Sequence, residues 1–383
     1  MLKNIVGVVL VSLISLLVFW MPWLSKTQEF WGVEFGQKGM ETIVANFDGI
    51  NFLVVAKSLY DPLAIEQIDK QMTTNEPIYY SAHYPLYALV VRFLELVLPA
   101  PYALLAAIVL SNVLLAIGLY VFFITVTQKP RLSLVLSLTA LFLPARVLSV
   151  RAVGSNEPMF IFFVLMSLVC AIKGKHWYAS LMGALAVLTR SPGILLFGAY
   201  ALAAIMSYKL ELKKLISTLL PYTLMPLTLL SLFAFYGIKY GDFWAYFNSG
   251  DNLHLFFPPF MIFSNMASWV NGMWREDLIY IYLFMGIGVV TYVKQVVGTK
   301  NFEKLVVSSF GIVYGLVLLF VSHRDLARYS LPLAPIAFLG FAPVLYRKEI
   351  KILLAILVIP TFLLGWQFVV ANVQPISDWS GLL

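Results

Sequence analysis

Apolar positions along the chain fall in long unbroken runs, without the strict alternation of a half-buried strand. A hydrocarbon core of about 30 Å takes about 17–25 helical residues to cross. Runs of that order lie at 5–24, 101–127, 132–150, 215–237, 278–297, 304–322 and 351–371. Shorter ones lie at 84–98, 157–172, 177–190, 193–208 and 331–346. Together they predict about 11–12 transmembrane or partly spanning helices, some interrupted by proline. A β-barrel is disfavoured, because Val, Leu and Phe fill both faces of each run. The expected fold class is therefore an all-α polytopic membrane bundle in one domain, 1–383. The first run ends in Trp20-Met21-Pro22-Trp23 where a signal peptide would carry small residues, so it reads as a retained span with an aromatic interfacial end.

Composition sharpens this picture. Hydrophobic residues make up 61% of the chain and charged residues 12%, against about 25% charged in a soluble domain. So little charge cannot cover a large water-facing surface, which excludes a soluble enzyme, a disordered chain and a nucleic-acid binder. The single cysteine, Cys170, excludes a disulfide framework or a cysteine zinc cluster. Lys and Arg gather in cytoplasmic loops. Lys3, Lys129/Arg131, Lys173/Lys175, Lys209/Lys213/Lys214, Lys294/Lys300/Lys304 and Arg347/Lys348/Lys351 fit that side. The opposite side then holds segment 25–82, the turns at 151–158, 189–192 and 322–330, and the loop 238–276. For this scheme to close, the short run 84–98 must enter the membrane without completing an ordinary crossing.

Segment 25–82 stands apart. It holds eight acidic and four basic residues, a net charge of −4, while the rest of the chain carries +11. Two short helices are predicted within it, one after Asp48-Gly49 and one after the N-cap and N1 pair Asp61-Pro62. Both are too short to span and are expected to lie as amphipathic helices along the membrane surface.

Ionisable groups near a membrane are costly and suggest function. Four turns on the predicted extracytoplasmic side carry them. Asp48, in Asn46-Phe47-Asp48-Gly49, is either a helix N-cap or a reactive carboxylate. Glu157, in Ser155-Asn156-Glu157-Pro158, either caps the next helix or orients a sugar hydroxyl. Arg190, in Leu188-Thr189-Arg190-Ser191-Pro192-Gly193, serves a site or pairs with a carboxylate. In His323-Arg324-Asp325-Leu326-Ala327-Arg328-Tyr329, Arg324 and Arg328 share a face if the segment is helical. Their planar guanidinium forks match phosphate oxygens and keep their charge, unless Asp325 neutralises one of them. His83, before Tyr84-Pro85-Leu86-Tyr87, suits packing or catalysis equally. The sequence has no His-Glu-x-x-His run, no Gly-x-x-x-x-Gly-Lys loop and no Asp-x-Asp pair.

In order, these pieces resemble the GT-C superfamily of membrane glycosyltransferases, most closely the branch of the second glycosylphosphatidylinositol mannosyltransferase and its prokaryotic relatives. The family's Trp-Asp-Gly-x-His-Tyr is similar to Phe47-Asp48-Gly49-Ile50-Asn51-Phe52, and its following Gly-Tyr to Leu59-Tyr60. Its Phe-Phe-Pro-Leu-Tyr-Pro resembles His83-Tyr84-Pro85-Leu86-Tyr87, and its Tyr-Thr-Glu resembles Ser155-Asn156-Glu157. Its Leu-Thr-Arg-Pro-x-Gly resembles residues 188–193, and its Arg-Tyr-Leu-x-Pro resembles Arg328-Tyr329-Ser330-Leu331-Pro332. Phe47, Asn51 and Leu59 replace the family's Trp, His and Gly.

The resemblance implies an inverting enzyme of a prokaryotic plasma membrane, its site on the extracytoplasmic face. It would move a sugar, mannose by this likeness, from a polyprenyl-phosphate carrier to a hydroxyl of a glycan or glycolipid acceptor. Asp48 would be the general base. Arg328, Arg324 and Arg190 would bind the donor phosphate. Glu157, Asn51, His83, Tyr84 and Tyr329 would contact donor or acceptor sugar. No metal and no cofactor is implied, the lipid-linked sugar being a substrate. A transporter or lipid flippase shares the span count and basic charge, but would favour a repeat between halves that the sequence lacks. A glycolipid-binding subunit without activity is a third reading, opened by the changes at Asn51 and Leu59.

Overall fold

A computed structural model of the chain describes residues 1–72, 75–264 and 272–374. Among them, seven helices are long and apolar enough to cross a membrane: Leu2–Leu24, Ala100–Thr127, Ser191–Tyr208, Leu212–Tyr240, Trp274–Val296, Leu326–Leu345 and Lys348–Ala371. The protein is an integral, multi-pass membrane protein. Of the other apolar runs, Glu157–Ile172, His176–Thr189 and Phe302–Leu318 form helices of 16, 14 and 17 residues, which at about 1.5 Å per residue reach only part-way across a bilayer. Pro85–Leu94 is a helix of ten residues.

Two predicted elements differ in the structure. The run 132–150 divides into helices Pro130–Ala140 and Arg146–Arg151. Pro144 lies between them, and it offers no N–H and disfavours a helical residue before it. In segment 25–82, helix Gly49–Ser58 forms as expected, but nine of its ten residues are buried. Ile50, Phe52, Leu53, Val54, Val55 and Ala56 cover it all round, so it belongs in a core and not on a membrane surface. It packs between helices Pro85–Leu94 and Ala100–Thr127. Helix Pro62–Met72 begins with the Asp61 carboxylate accepting from the Leu63 N–H at 3.0 Å; Ile65 is buried and Leu63 exposed. A small hairpin, Glu29–Phe30 paired antiparallel with Val33–Glu34, was not foreseen. Its turn residues Trp31 and Gly32 both have positive φ, as a tight hairpin turn requires.

Small residues set the closest crossings. A Cβ on Gly340 would lie 1.9 Å from the Gly288 carbonyl oxygen, so helices Trp274–Val296 and Ala334–Leu345 touch backbone to backbone. The same device recurs at one end of the bundle, where a Cβ on Gly154 would lie 2.5 Å from the Cα of Gly49. That contact presses the turn carrying Asp48 onto the turn that leads into Glu157.

Candidate active site

Asp48 immediately precedes helix Gly49–Ser58, yet its side chain does not cap it. The backbone explains why. Phe47 sits at φ 49°, an uncommon left-handed conformation for an aromatic residue. Gly49 has no room for a side chain, since a Cβ there would meet the Val44 carbonyl oxygen at 2.3 Å. The turn is clamped from outside as well. The Asn46 amide donates to the Val369 carbonyl at 2.7 Å, and the Gln374 amide donates to the Phe47 carbonyl at 3.0 Å. Held this way, the Asp48 carboxylate faces a cavity of about 630 Å³, whose walls also carry His83, Arg146, Arg190, Asp251 and Arg328.

Arg328, in the short helix Leu326–Ser330, joins two carboxylates. Its Nη2 donates to Asp48 and its Nε to Glu157. Glu157 is fully buried at the first position of helix Glu157–Ile172, where the helix dipole favours a negative charge. Its Oε1 also pairs with Arg190, and its Oε2 accepts from the Ser155 hydroxyl. Arg190 follows helix His176–Thr189 in extended conformation, and it donates to the Asn156 side-chain oxygen at 3.3 Å. Asn156 in turn donates to the Thr189 carbonyl at 2.7 Å, tying the two turns together. The guanidiniums also face rings, Arg328 over Phe47 at 4.8 Å and Arg190 over Tyr329 at 5.5 Å.

His83 lies on the opposite flank of Asp48. Its Nε2 is 3.1 Å from the Asn51 amide, 3.9 Å from Asp48 and 4.0 Å from Asp251. Asn51 stands where the family pattern has His, but residue 83 brings an imidazole beside the same carboxylate. Burial pushes the Asp48 pKa up. The Arg328 guanidinium and the His83 ring outweigh that and hold it well below the usual carboxylate range. Asp251 is likewise raised by burial but held lower overall by its hydrogen bond to His254 and by His83.

Most of the residues singled out in the sequence are brought together. Asp48, Asn51, His83, Arg190, Arg324, Arg328 and Tyr329 line the cavity. Glu157 lies beneath its wall, gripping two arginines. Tyr84 is buried against Tyr246, with ring centroids 5.4 Å apart, and does not reach the cavity. The helix carrying Arg328 starts only at Leu326, so Arg324 precedes it and stands exposed at the rim instead of sharing a helical face. Asp325 pairs with Arg146 at 3.0 Å, and not with either of its arginine neighbours in sequence.

Arg146 and Asp251 were missed. Arg146 sat inside a run read as one span, where an isolated cation was itself the signal. Asp251 lay in a turn-rich loop on the same predicted side. Among the described residues, no group of three or more His, Cys, Asp or Glu side chains is arranged to hold a metal ion.

With this geometry in hand, the chain can be set beside known proteins. No protein-family model and no curated protein matches it. Solved structures share its architecture, among them the following two. One is ArnT from Cupriavidus metallidurans bound to undecaprenyl phosphate, with a TM-score of 0.57 and 12% identity over 91% of this chain and 62% of that one. This is the GT-C fold. The other is the archaeal oligosaccharyltransferase AglB from Archaeoglobus fulgidus, in complex with an inhibitory peptide and a dolichol-phosphate. Its TM-score is 0.55 at 10% identity, over 96% of this chain and 57% of that one. The chain thus spans about three fifths of the length of either GT-C structure.

Proposed function

We propose that the protein is an inverting glycosyltransferase that takes a sugar from a polyprenyl-phosphate carrier. What carries this reading is the meeting of Asp48 and Arg328, 280 residues apart in sequence, in one cavity with Arg190. A base and a set of phosphate-matching cations are the two things such a reaction needs. The acceptor hydroxyl gives its proton to an Asp48 carboxylate oxygen as its own oxygen bonds to the anomeric carbon. The bond from that carbon to the phosphate oxygen breaks, and its electron pair stays on the departing lipid phosphate. Arg328, Arg190 and the rim residue Arg324 offset the charge that develops there. Displacement from the face opposite the leaving group inverts the anomeric centre.

Glu157 fixes the spacing of Arg190 and Arg328 from below, while His83, Asn51 and Tyr329 border the space left for sugar. The lipid tail is assigned to the apolar helix surfaces. The two GT-C neighbours, one bound to undecaprenyl phosphate and the other to a dolichol-phosphate, support a lipid-phosphate donor. Mannose as the sugar rests on the resemblance to the glycosylphosphatidylinositol mannosyltransferase branch, and the extracytoplasmic face rests on the distribution of Lys and Arg.

The test is transfer by purified protein from polyprenyl-phosphate mannose and related lipid-linked sugars to a panel of glycan and glycolipid alcohols. Asp48→Asn is expected to lower kcat by about 10²–10⁴-fold with donor binding retained. Full turnover in that variant would remove Asp48 as the base.

A further inference from the structure

The proposed base is also an ion-pair partner of the proposed phosphate ligand, and these two duties conflict. A carboxylate paired with a guanidinium is a poor proton acceptor, because the cation stabilises its charged form. Arg328 is placed so that the conflict can be resolved. Its Nε edge is bound to Glu157, which is buried and shared with Arg190, whereas its Nη2 edge reaches Asp48 at the cavity surface. The first contact is anchored inside the protein; the second is open to exchange with an oxyanion entering the cavity.

We propose that a donor phosphate entering the cavity takes over the Nη2 side of Arg328 from Asp48, while Glu157 keeps the guanidinium in place, so that the base is released only when a donor is bound. This deepens the glycosyltransferase reading and rests on it. Acceptor deprotonation is thereby coupled to donor occupancy without movement of a domain, because the exchange needs only a different oxygen on the same fork. Glu157 acts here as a positioning residue. Without it, Arg328 would be free to follow Asp48.

The charged and titratable groups facing Asp48 are Arg328, His83, Arg190, Asp251 and Tyr79. Of these, Arg328 is the cation bonded directly to it. Exchange of that bond for a phosphate beside it therefore moves the carboxyl titration upward, in the direction that burial already favours.

The experiment follows the Asp48 carboxyl band by infrared titration of the full chain in lipid nanodiscs, the band being assigned by its loss in Asp48→Asn. Undecaprenyl phosphate is the probe, and its binding is measured separately. The titration midpoint of Asp48 is expected to rise by at least about one pH unit on binding, a tenfold gain in proton affinity. In Arg328→Lys, whose single ammonium cannot hold Glu157 and Asp48 through two edges at once, the midpoint is expected to start higher and to move less. In Glu157→Gln the probe-induced rise should shrink. An unchanged Asp48 midpoint with the probe bound would overturn the exchange and leave the glycosyltransferase reading standing. Failure of the probe to bind at all would instead count against that reading.

Discussion

Two buried arginines of this protein serve opposite ends. Arg151 closes helix Arg146–Arg151 and is completely enclosed. Its fork donates to the Leu141 carbonyl at 3.1 Å, the Ser12 carbonyl at 3.2 Å, the Asn112 side-chain oxygen at 2.8 Å and the Ser15 hydroxyl at 2.6 Å. All of these acceptors are neutral. They belong to helices Leu2–Leu24 and Ala100–Thr127 and to the turn after Pro130–Ala140, so the side chain stitches three segments together. Arg328 is nearly as buried, but its partners are two carboxylates and one side of it opens on the cavity. Burial of a cation therefore does not by itself mark a site. What separates the two is whether the partner can be exchanged for an incoming anion.

Substitution tests that contrast directly. Arg151→Ala leaves several buried acceptors without a donor and is expected to cost about 3 kcal/mol of stability, seen as a lower Tm, while the folded fraction binds donor normally. Arg328→Ala should show the reverse: a smaller change in Tm, because Glu157 keeps Arg190, and donor affinity weakened about 10–100-fold. Equal loss of donor affinity in the two variants would erase the distinction.

A smaller effect is expected where the two regions meet. Gly154→Ala forces a Cβ onto the Gly49 backbone and shifts the Asp48 turn, lowering kcat by about tenfold. Gly286→Ala, where a Cβ would have nothing within 4 Å, serves as the control and should leave kcat unchanged.

The smallest expected effect is on pH dependence at the cavity rim. Burial, and then the stacked ring of His254, pull the His323 pKa down to about 4. The folded protein therefore holds this ring neutral where the unfolded chain, with a value of 6.5, binds a proton. Its contribution is complete above pH 6.5 and is lost as the pH falls toward 4. Tm measured across that window should fall further in the wild type than in His323→Asn. Parallel curves would deny His323 this role.

Much of the site was legible because ionisable residues at the ends of apolar runs are conspicuous. Glu157, Arg190 and Arg328 each stand at or beside the end of such a run, Asp48 stands in the acidic segment after the first span, and all four meet. The pairing among them was not legible. Asp325 next to Arg324 invites a local ion pair, yet it pairs with Arg146 of the neighbouring helix Arg146–Arg151, because the chain turns between Leu318 and Leu326 and points it that way. Leu59 shows the same limit. It occupies the family's glycine position and closes helix Gly49–Ser58 at φ 48°, a left-handed cap that glycine adopts at no steric cost.

Hydrophobic run length and the scarcity of charge determined by themselves that this chain is a helical membrane protein, since water cannot solvate such a surface and a bilayer demands internally bonded segments. The order of charged turns further determined which residues were candidates for chemistry. Only the tertiary structure decided that helix Gly49–Ser58 is core and not membrane-lying, that Glu157 grips arginines beneath the cavity wall, and that Asp48 bonds to Arg328 instead of capping its helix. Each of those outcomes depends on what a distant segment offers at close range. Local periodicity, which records only a residue's preference for water or oil, carries no information about that partner.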